Sequence, residues 1–407
     1  MNTTQTLAGV TQASLPYATR LVLAFLDRLK GGSLTVIGPA GFNRRFGDGA
    51  GPQLRITLND WQVLERCLKG GDIGFAETYM DGRWHADDLA GLVELFCRNR
   101  DALEKVIFGS LIAGSIYRIK HWLNRNTLAR AKKNIEAHYD LGNSFYALWL
   151  DPSMTYSSAL FSGNLELDLE LAQAAKYRRI LQRLAPSAGD TILEIGCGWG
   201  GFAEIAAREF NVRVTGLTLS GEQLRFATQR LALAGVGDRV DLHLRDYRDM
   251  HGHFDHVVSI EMFEAVGEQY WDHYFACIRR NLKAGGRAIV QSISIDEALF
   301  ERYRKGTDFI QQYIFPGGML PSPTAFRARA GAAGLAVADQ FRFGSDYAET
   351  LRRWRQNFMR VLPRVRGSGF DERFIRLWEF YLAYCEGAFN AGSTDVLQFE
   401  LIHRTDR

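Results

Sequence analysis

The chain has 407 residues, of which 46% are hydrophobic, and a formal net charge of +3. Its length and composition allow two domains with sizeable cores, while the small net charge argues against a nucleic-acid partner. The five cysteines are far apart and form no Cys-x-x-Cys pair, which predicts reduced thiols, no disulfide framework and no metal site. The polar N terminus carries no secretory pattern, and the longest apolar run, residues 106–117, is too short to span a bilayer. We therefore expect a soluble cytoplasmic protein.

The first part of the chain predicts a small α+β domain, residues 1–125. Its pattern predicts a helix at 21–29, strands at 34–37 and 53–58, and helices at 61–67, 88–99 and 103–123. The strands are separated by a glycine-rich hairpin or loop, residues 41–51. A basic, polar linker at 124–133 would lead into the second domain, residues 126–407.

In the second domain, apolar strands alternate with helical segments. Strands are predicted at 191–195, 212–217, 240–244, 256–260 and 287–295, and later at 341–344 and 396–402. Four helical segments separate the earlier strands, at 202–209, 222–233, 270–281 and 298–304. This alternation predicts an α/β fold with a doubly wound, seven-stranded, Rossmann-like sheet that helices cover on both faces. Ligands bind such sheets at the carboxyl ends of the strands.

The strand at 191–195 runs into a turn with four glycines, Gly196, Gly198, Gly200 and Gly201. Such a turn lets a ligand approach bare backbone at a helix N-terminus. The spacing lacks the last glycine of the dinucleotide fingerprint and the Gly-Lys-Ser/Thr of a phosphate loop, which argues against NAD and ATP. With Glu194 it resembles the cofactor loop of class I S-adenosylmethionine (SAM) methyltransferases. A tight turn without a ligand is the alternative.

Polar residues after the next strands are further candidates for the same site. Thr218, Ser220 and Gln223 lie where a generic SAM site has an acid that holds the ribose, although Ser220 could simply cap the helix. Asp246 and Tyr247 follow the third strand and could take the adenine amine and ring face.

Two carboxylates, Glu261 and Glu264, follow the fourth strand and are three residues apart. In a helical turn they would share one face. Carboxylates at the mouth of an apolar sheet are costly unless they are paired or functional. We expect a catalytic role, and a structural capping pair is the alternative.

Motifs in a fixed order resemble the cyclopropane-fatty-acyl-phospholipid synthase family, which includes mycolic acid cyclopropane synthases. They are His138-Tyr-Asp-Leu-Gly-Asn143, Asp151-Pro-x-Met-x-Tyr-Ser157, Leu193-Glu-Ile-Gly-Cys-Gly-Trp-Gly200, Gly216-Leu-Thr-Leu-Ser220, Met262-Phe-Glu-x-Val-Gly267, Tyr313-Ile-Phe-Pro-Gly-Gly-x-Leu-Pro-Ser322, Tyr347-x-x-Thr-Leu351 and Tyr381-Leu-x-x-Cys385. Residues 71–84 also resemble the family's lipid-binding N-terminal domain. The resemblance implies methyl transfer from SAM to the cis double bond of phospholipid acyl chains, at the inner membrane face and without a transmembrane segment.

The resemblance also implies roles for individual residues. SAM would be held by Tyr156, Ser157, Gly196, Gly198, Thr218 and Gln223, and the local pattern adds Glu194, Cys197, Gly200, Ser220, Asp246 and Tyr247. Glu264, Ile293 and Tyr347 match active-site positions of the family. Cys385 matches a cysteine assigned as catalytic there. Because olefin methylation needs no covalent thiol, Cys385 could instead be a small buried hydrophobe.

Three residues depart from the family's pattern around the bound bicarbonate that serves as its base. Ser158 stands where the synthases have a cysteine, Gln291 where they have a histidine, and Glu261 where they have a small residue. We hypothesise that bicarbonate binding is weakened or lost and that the carboxylate of Glu261 takes its place. The product would then be a methyl-branched or methylene chain instead of a cyclopropane.

Alternative functions stay open at this stage. A SAM-dependent enzyme could act on a carrier-bound or soluble acyl substrate, and a homologue without the cysteine and histidine could bind lipid or SAM without catalysis. The family resemblance favours a homodimer. Basic clusters predict solvated helix faces or, taken together, contact with an anionic membrane; they lie at 120–133, 176–183, 302–305 and 352–366.

Overall fold

The computed structural model describes residues 15–107 and 142–404. The predicted linker at 124–133, most of the predicted helix at 103–123 and the start of the His138–Asn143 motif lie outside these residues. The predicted domain boundary near residue 125 lies outside them too and stays a prediction. No helix in the described ranges is long and apolar enough to cross a membrane.

The described part of the chain forms two compact units. The first contains residues 15–107, 306–312 and 362–391, and the second contains 142–305, 313–361 and 392–404. In chain order the α-helices are α1 (Tyr17–Leu26), α2 (Gln62–Met80), α3 (Leu89–Arg98), α4 (Arg100–Ile107), α5 (Asn143–Tyr146), α6 (Leu169–Leu184), α7 (Gly201–Phe210), α8 (Gly221–Leu233), α9 (Trp271–Asn281), α10 (Glu297–Lys305), α11 (Phe309–Tyr313), α12 (Pro323–Ala332), α13 (Gly344–Arg360), α14 (Leu362–Gly367) and α15 (Glu372–Asn390).

The first unit contains a four-stranded sheet of order β2-β1-β3-β4. Its strands are β1 (Ser33–Ile37), β2 (Asn43–Gly47), β3 (Gln53–Leu58) and β4 (Trp84–Ala86). β1 and β3 are parallel, and the other two pairs are antiparallel. The glycine-rich stretch at 41–51 contains β2 of the hairpin. β4 lies between the predicted helices at 61–67 and 88–99, where the sequence predicted no strand.

One half-buried carboxylate connects the three chain segments of the first unit. Asp72 follows Gly71, whose φ of 60° kinks α2. Its Oδ2 accepts hydrogen bonds from the backbone N–H of Phe309 at 3.2 Å and from the Tyr384 hydroxyl at 2.9 Å. Because Phe309 and Tyr384 lie far along the chain, the first unit needs residues from the later half of the sequence.

The second unit is built on a seven-stranded sheet of order β10-β11-β9-β8-β5-β6-β7. Its strands are β5 (Thr191–Ile195), β6 (Arg213–Thr218), β7 (Val240–Leu244), β8 (Phe254–Ile260), β9 (Leu282–Ile295), β10 (Leu335–Arg342) and β11 (Thr394–His403). β5 to β9 pair in parallel, whereas β11 is antiparallel to both β9 and β10. The doubly wound α/β prediction is confirmed. The strand predicted at 341–344 was placed too late, since polar residues such as Asp339 and Gln340 interrupt the apolar pattern of β10.

Neighbouring residues of the central strands belong to opposite faces of this sheet. Leu193 and Val257 are in one buried cluster, and their neighbours Ile192 and Val258 are in the other. Successive side chains of a strand point to opposite faces, so both faces of the sheet are buried. This explains why these strands are continuous apolar runs. It also brings the turns at their carboxyl ends together at one edge of the sheet.

Candidate active site

The glycine turn after β5 has backbone angles that favour glycine. The φ values of Gly196, Gly198 and Gly200 are 87°, 51° and 82°, all in the left-handed region. Gly200 is the N-cap of α7. A Cβ added at Gly198 would meet no atom within 4 Å, so open space adjoins this residue. The turn therefore offers bare backbone to a ligand at a helix N-terminus.

Glu194, the residue before this turn, provides a test of whether a cofactor fits. It is 3% exposed, and its Oε2 has no hydrogen-bond partner among the described residues. Burial raises the pKa of Glu194 to about 8. A buried carboxyl oxygen without a partner calls for a donor. The ammonium or hydroxyl groups of SAM would supply one, so the residues present fit this cofactor.

The polar residues after β6 form a hydrogen-bonded group. The hydroxyl of Thr218 donates to Oε1 of Gln223 at 2.9 Å and accepts from the backbone N–H of Ser220 at 3.1 Å. Ser220 accepts from the backbone N–H of Gln223 at 3.3 Å, which is the helix-capping alternative. The two roles are compatible, because capping uses the Ser220 hydroxyl and leaves Thr218 and Gln223 beside the turn after β6.

Asp246 is engaged by a partner that the sequence did not predict. Both oxygens of its carboxylate accept from the Arg248 guanidinium, at 2.8 and 2.6 Å. Burial opposes ionisation, but hydrogen bonds from Arg248 and its charge outweigh burial and lower the pKa of Asp246. The side chain of Tyr247 is half-buried, with its ring centroid 5.7 Å from that of Tyr274. Contact of Asp246 and Tyr247 with adenine stays a prediction.

Tyr156 and Ser157 lie against aromatic rings and a buried lysine. The Tyr156 ring centroid is 5.4 Å from that of Trp354. The Lys176 ammonium donates to Oγ of Ser157 and, at 2.8 Å, to Oε1 of Gln173. Burial lowers the pKa of Lys176 to about 7, although the charge of Glu261 opposes the shift. The prediction of a solvated helix face at 176–183 was therefore wrong for Lys176, which is 0% exposed.

The three residues that depart from the family's pattern meet at the carboxylate of Glu261. Its Oε1 accepts from the backbone N–H of Ser158 at 2.8 Å and from Nε2 of Gln291 at 2.7 Å. Its Oε2 accepts from the Tyr347 hydroxyl at 2.6 Å. Glu261 has a φ of 49°, and its backbone N–H donates to the Gln291 carbonyl at 2.8 Å. The hydroxyl of Ser158 donates to the Ala159 carbonyl, so Ser158 contacts Glu261 through its backbone.

Glu264, the second carboxylate, has a less complete set of partners. One oxygen accepts from the backbone N–H of Ile293, and the other, Oε2, is buried without a partner among the described residues. Burial first, and then the charge of Glu261, raise the pKa of Glu264 to about 8. Burial also raises the pKa of Glu261, against the charge of Lys176 and the hydrogen bonds. Hydrogen bonds to the charged form favour ionisation. Glu261, with three donors, is therefore the member of the pair that ionises first as the pH rises.

Cys385 belongs to α15 of the first unit, whereas the other five predicted catalytic residues belong to the second. Burial, and then the charge of Asp308, raise the pKa of the Cys385 thiol. A neutral thiol is a poor nucleophile. This argues against a nucleophilic thiol, although Cys385 is only half-buried, and its catalytic role stays a prediction.

The seven-stranded sheet and the glycine turn define a class I SAM-dependent methyltransferase. The family described as mycolic acid cyclopropane synthetase matches residues 126–399, and the chain belongs to this family. It is 39% identical to tuberculostearic acid methyltransferase UfaA1 of Mycobacterium tuberculosis, over 87% of this chain and 84% of that protein. It is 35% identical to the cyclopropane-fatty-acyl-phospholipid synthase of Escherichia coli, over 84% and 86% of the two chains.

A solved structure agrees with this assignment. The mycolic acid cyclopropane synthase CmaA1, complexed with SAH and CTAB, has a TM-score of 0.60 and 32% identity, over 66% of this chain and 97% of that one. Together with the family match, this similarity establishes SAM as the methyl donor of the present enzyme.

Proposed function

We propose that the enzyme methylates cis double bonds of phospholipid acyl chains and that the Glu261 carboxylate is the base that completes the reaction. The carboxylate of Glu261, fixed by Ser158, Gln291 and Tyr347, is the observation that carries the proposal. A general base must be held in place, and its proton-accepting form must be populated. The three hydrogen bonds that the Glu261 carboxylate accepts hold it in place and favour its ionised, proton-accepting form.

The reaction needs an apolar site, an electron-rich lining and a base. When bound, SAM supplies a methyl group to one alkene carbon, and the other carbon is left electron-poor. The rings of Tyr347, Trp354 and Tyr156 follow one another beside Glu261, with centroid separations of 6.2 and 5.4 Å. Aromatic faces stabilise positive charge. The ionised Glu261 then accepts one proton from the methylated acyl chain. The acyl chain loses its positive charge, and Glu261 becomes a neutral carboxylic acid.

The position of the lost proton decides the product. Loss from the new methyl group closes a cyclopropane, whereas loss from a neighbouring chain carbon leaves a methyl-branched alkene. If a hydride first shifts from the methylated carbon, loss from the methyl leaves a methylene group. We favour the branched or methylene products, because a base attached to the protein replaces a diffusible ion. The name of the tuberculostearic acid methyltransferase supports a fatty acyl substrate.

An apolar cavity in the first unit supports a lipid-binding role for that unit. It offers about 100 Å³ of free space, less than a usual ligand pocket, and it opens to solvent. Its walls are mainly aliphatic and aromatic side chains; they include Val36, Leu58, Phe75, Val93 and Phe380. A single hydrocarbon chain would match this lining. Because phospholipid acyl chains lie in a bilayer, we propose that the enzyme works at the inner membrane surface. From the family resemblance we also propose that it is a homodimer.

The reaction product gives a direct test of the proposal. We expect expression in a bacterial host without its own cyclopropane synthase to yield methyl-branched or methylene fatty acids in membrane phospholipids, as measured by gas chromatography–mass spectrometry. In vitro, removal of bicarbonate should leave the rate unchanged, because the base is part of the chain. Cyclopropane fatty acids whose formation depends on bicarbonate would contradict the proposal.

The cavity can be tested by filling it. Val93→Phe places a ring in this space, and a melting temperature close to that of the unaltered protein would show that the variant folds. A fluorescent polyene fatty acid could bind both in this cavity and in the active site. We expect Val93→Phe to weaken its binding in the cavity by about tenfold, roughly 1.4 kcal/mol. Gln340→Met on β10 of the second unit is the control and should bind the probe normally. Unchanged probe binding by a folded Val93→Phe protein would refute a lipid site in this cavity.

A further inference from the structure

Two buried amide side chains connect Glu261 to an arginine. Gln291 donates from Nε2 to Glu261, and Nε2 of Gln398 donates to Oε1 of Gln291 at 2.9 Å. The Arg179 guanidinium donates to Oε1 of Gln398. Gln291 and Gln398 are opposite one another on β9 and β11 and are 0% and 2% exposed. Arg179, Gln398 and Gln291 form what we call the amide relay.

The chemistry of its two ends fixes the direction of the amide relay. An arginine has only donors, and an ionised carboxylate has only acceptors. If Oε1 of Gln398 faces Arg179, its NH₂ faces Gln291, whose own NH₂ then faces Glu261. The orientation of a side-chain amide is ordinarily ambiguous. Here a donor at one end and an acceptor at the other allow a single arrangement in which every contact pairs a donor with an acceptor.

We propose that Arg179 and Gln398 are positioning residues that keep the NH₂ group of Gln291 directed at the Glu261 carboxylate. This inference rests on the proposed role of Glu261 as the base. Neither residue contacts Glu261 directly; they act through Gln291. Without the amide of Gln398, the Gln291 amide is free to rotate and to present its oxygen to Glu261. The carboxylate then loses a donor and faces a lone pair, and both changes favour its protonated form.

Charged groups surround both ends of the amide relay. Beside Arg179 are Arg183, Asp339 and Glu400, and its guanidinium lies 3.7 Å from the centre of the Phe341 ring. Glu261 is affected by the charge of Lys176, is hydrogen-bonded to Tyr347, and influences the ionisation of Glu264. Since Gln398→Met changes no formal charge, it leaves these charges in place and removes only the amide.

Gln398→Met should shift the pH dependence of methyl transfer. The base works when deprotonated, so a higher pKa of Glu261 moves the acidic limb of kcat/KM to higher pH. We expect the acidic limb to move by about one pH unit, so that the rate falls roughly tenfold at pH values below the pKa of the base and stays nearly normal at alkaline pH. Arg179→Met should cause a smaller shift in the same direction. The measurement is product formation on vesicles of dioleoyl phospholipid, with the KM for SAM expected to stay unchanged.

The matched control is Gln340→Met, since Gln340 is on the adjacent strand β10 and accepts a hydrogen bond from Arg327 outside the amide relay. It should keep the profile of the unaltered enzyme. A folded Gln398→Met protein whose rate falls equally at every pH, or does not fall, would overturn the inference. Glu261→Gln separates the two proposals. If that variant loses activity while Gln398→Met has a normal profile, only the amide relay fails; if Glu261→Gln is fully active, the proposed base fails.

Discussion

Replacement of Glu261 by glutamine is expected to lower product formation by about a hundredfold or more, within the range that a lost general base usually costs. Glutamine has nearly the same shape, but its amide cannot accept the proton at neutral pH. It also directs an NH₂ group toward donors, because the backbone N–H of Ser158, Nε2 of Gln291 and the Tyr347 hydroxyl all point at this position. The measurement is the single-turnover rate with vesicles of dioleoyl phospholipid and saturating SAM.

The control for this substitution is Glu170→Gln, at an exposed position in the first turn of α6. It makes the same change of charge away from the site and should leave the rate unchanged. SAM binding by the Glu261→Gln protein should also be close to normal, because the substitution affects the base and leaves the glycine turn intact. An active Glu261→Gln enzyme would exclude this carboxylate as the base.

Glu261→Gly extends the same experiment to bicarbonate. The φ of 49° suits glycine, so the backbone should tolerate the change. Removal of the side chain leaves three donors around a space of carboxylate size. We expect this variant to be inactive alone and to regain part of its activity with added bicarbonate, whereas chloride at equal ionic strength should have no effect. Stimulation of the unaltered enzyme by bicarbonate would contradict this interpretation.

Local sequence patterns predicted the central fold well because its determinants are local. The predicted strand at 191–195 coincides with β5, whose residues are buried on both faces and so form an unbroken apolar run. The glycine turn was recognisable because left-handed backbone angles recur at Gly196, Gly198 and Gly200. Family resemblance singled out Ser158, Gln291 and Tyr347, but only the structure shows that all three hold one carboxylate.

Other parts of the site depend on contacts between distant segments. Lys176 and Arg179 look like members of a solvated basic cluster, because the pattern of one helix does not show what packs against it. The link between Gln291 and Gln398 follows from the pairing of β9 with β11. Asp72 likewise gains its partners from segments more than two hundred residues away. A close hydrogen-bonded pair at such separation has no signature in a single sequence.

The cofactor turn allows a second large effect to be predicted, from Gly198→Ala. Its Cβ would project into the open space beside the turn, where we expect SAM to bind. Overfilling a fitted site costs about 1–3 kcal/mol, which corresponds to roughly a tenfold to hundredfold weaker Kd. We expect a loss toward the upper end of this range, measured by isothermal titration with SAM and with S-adenosylhomocysteine. Methyl transfer should fall in proportion at low SAM and recover partly at high SAM.

Backbone strain must be separated from the loss of ligand space in this experiment. Gly163 provides the matched control, because it also has a positive φ, 82° against 51°, and a Cβ there would likewise meet no atom within 4 Å. It is exposed and lies outside the glycine turn. Both alanine variants should lose similar stability, about 1–2 kcal/mol, since the left-handed conformation strains alanine. Only Gly198→Ala should lose SAM affinity. Equal affinities of the two variants would mean that the space beside Gly198 is not where the cofactor binds.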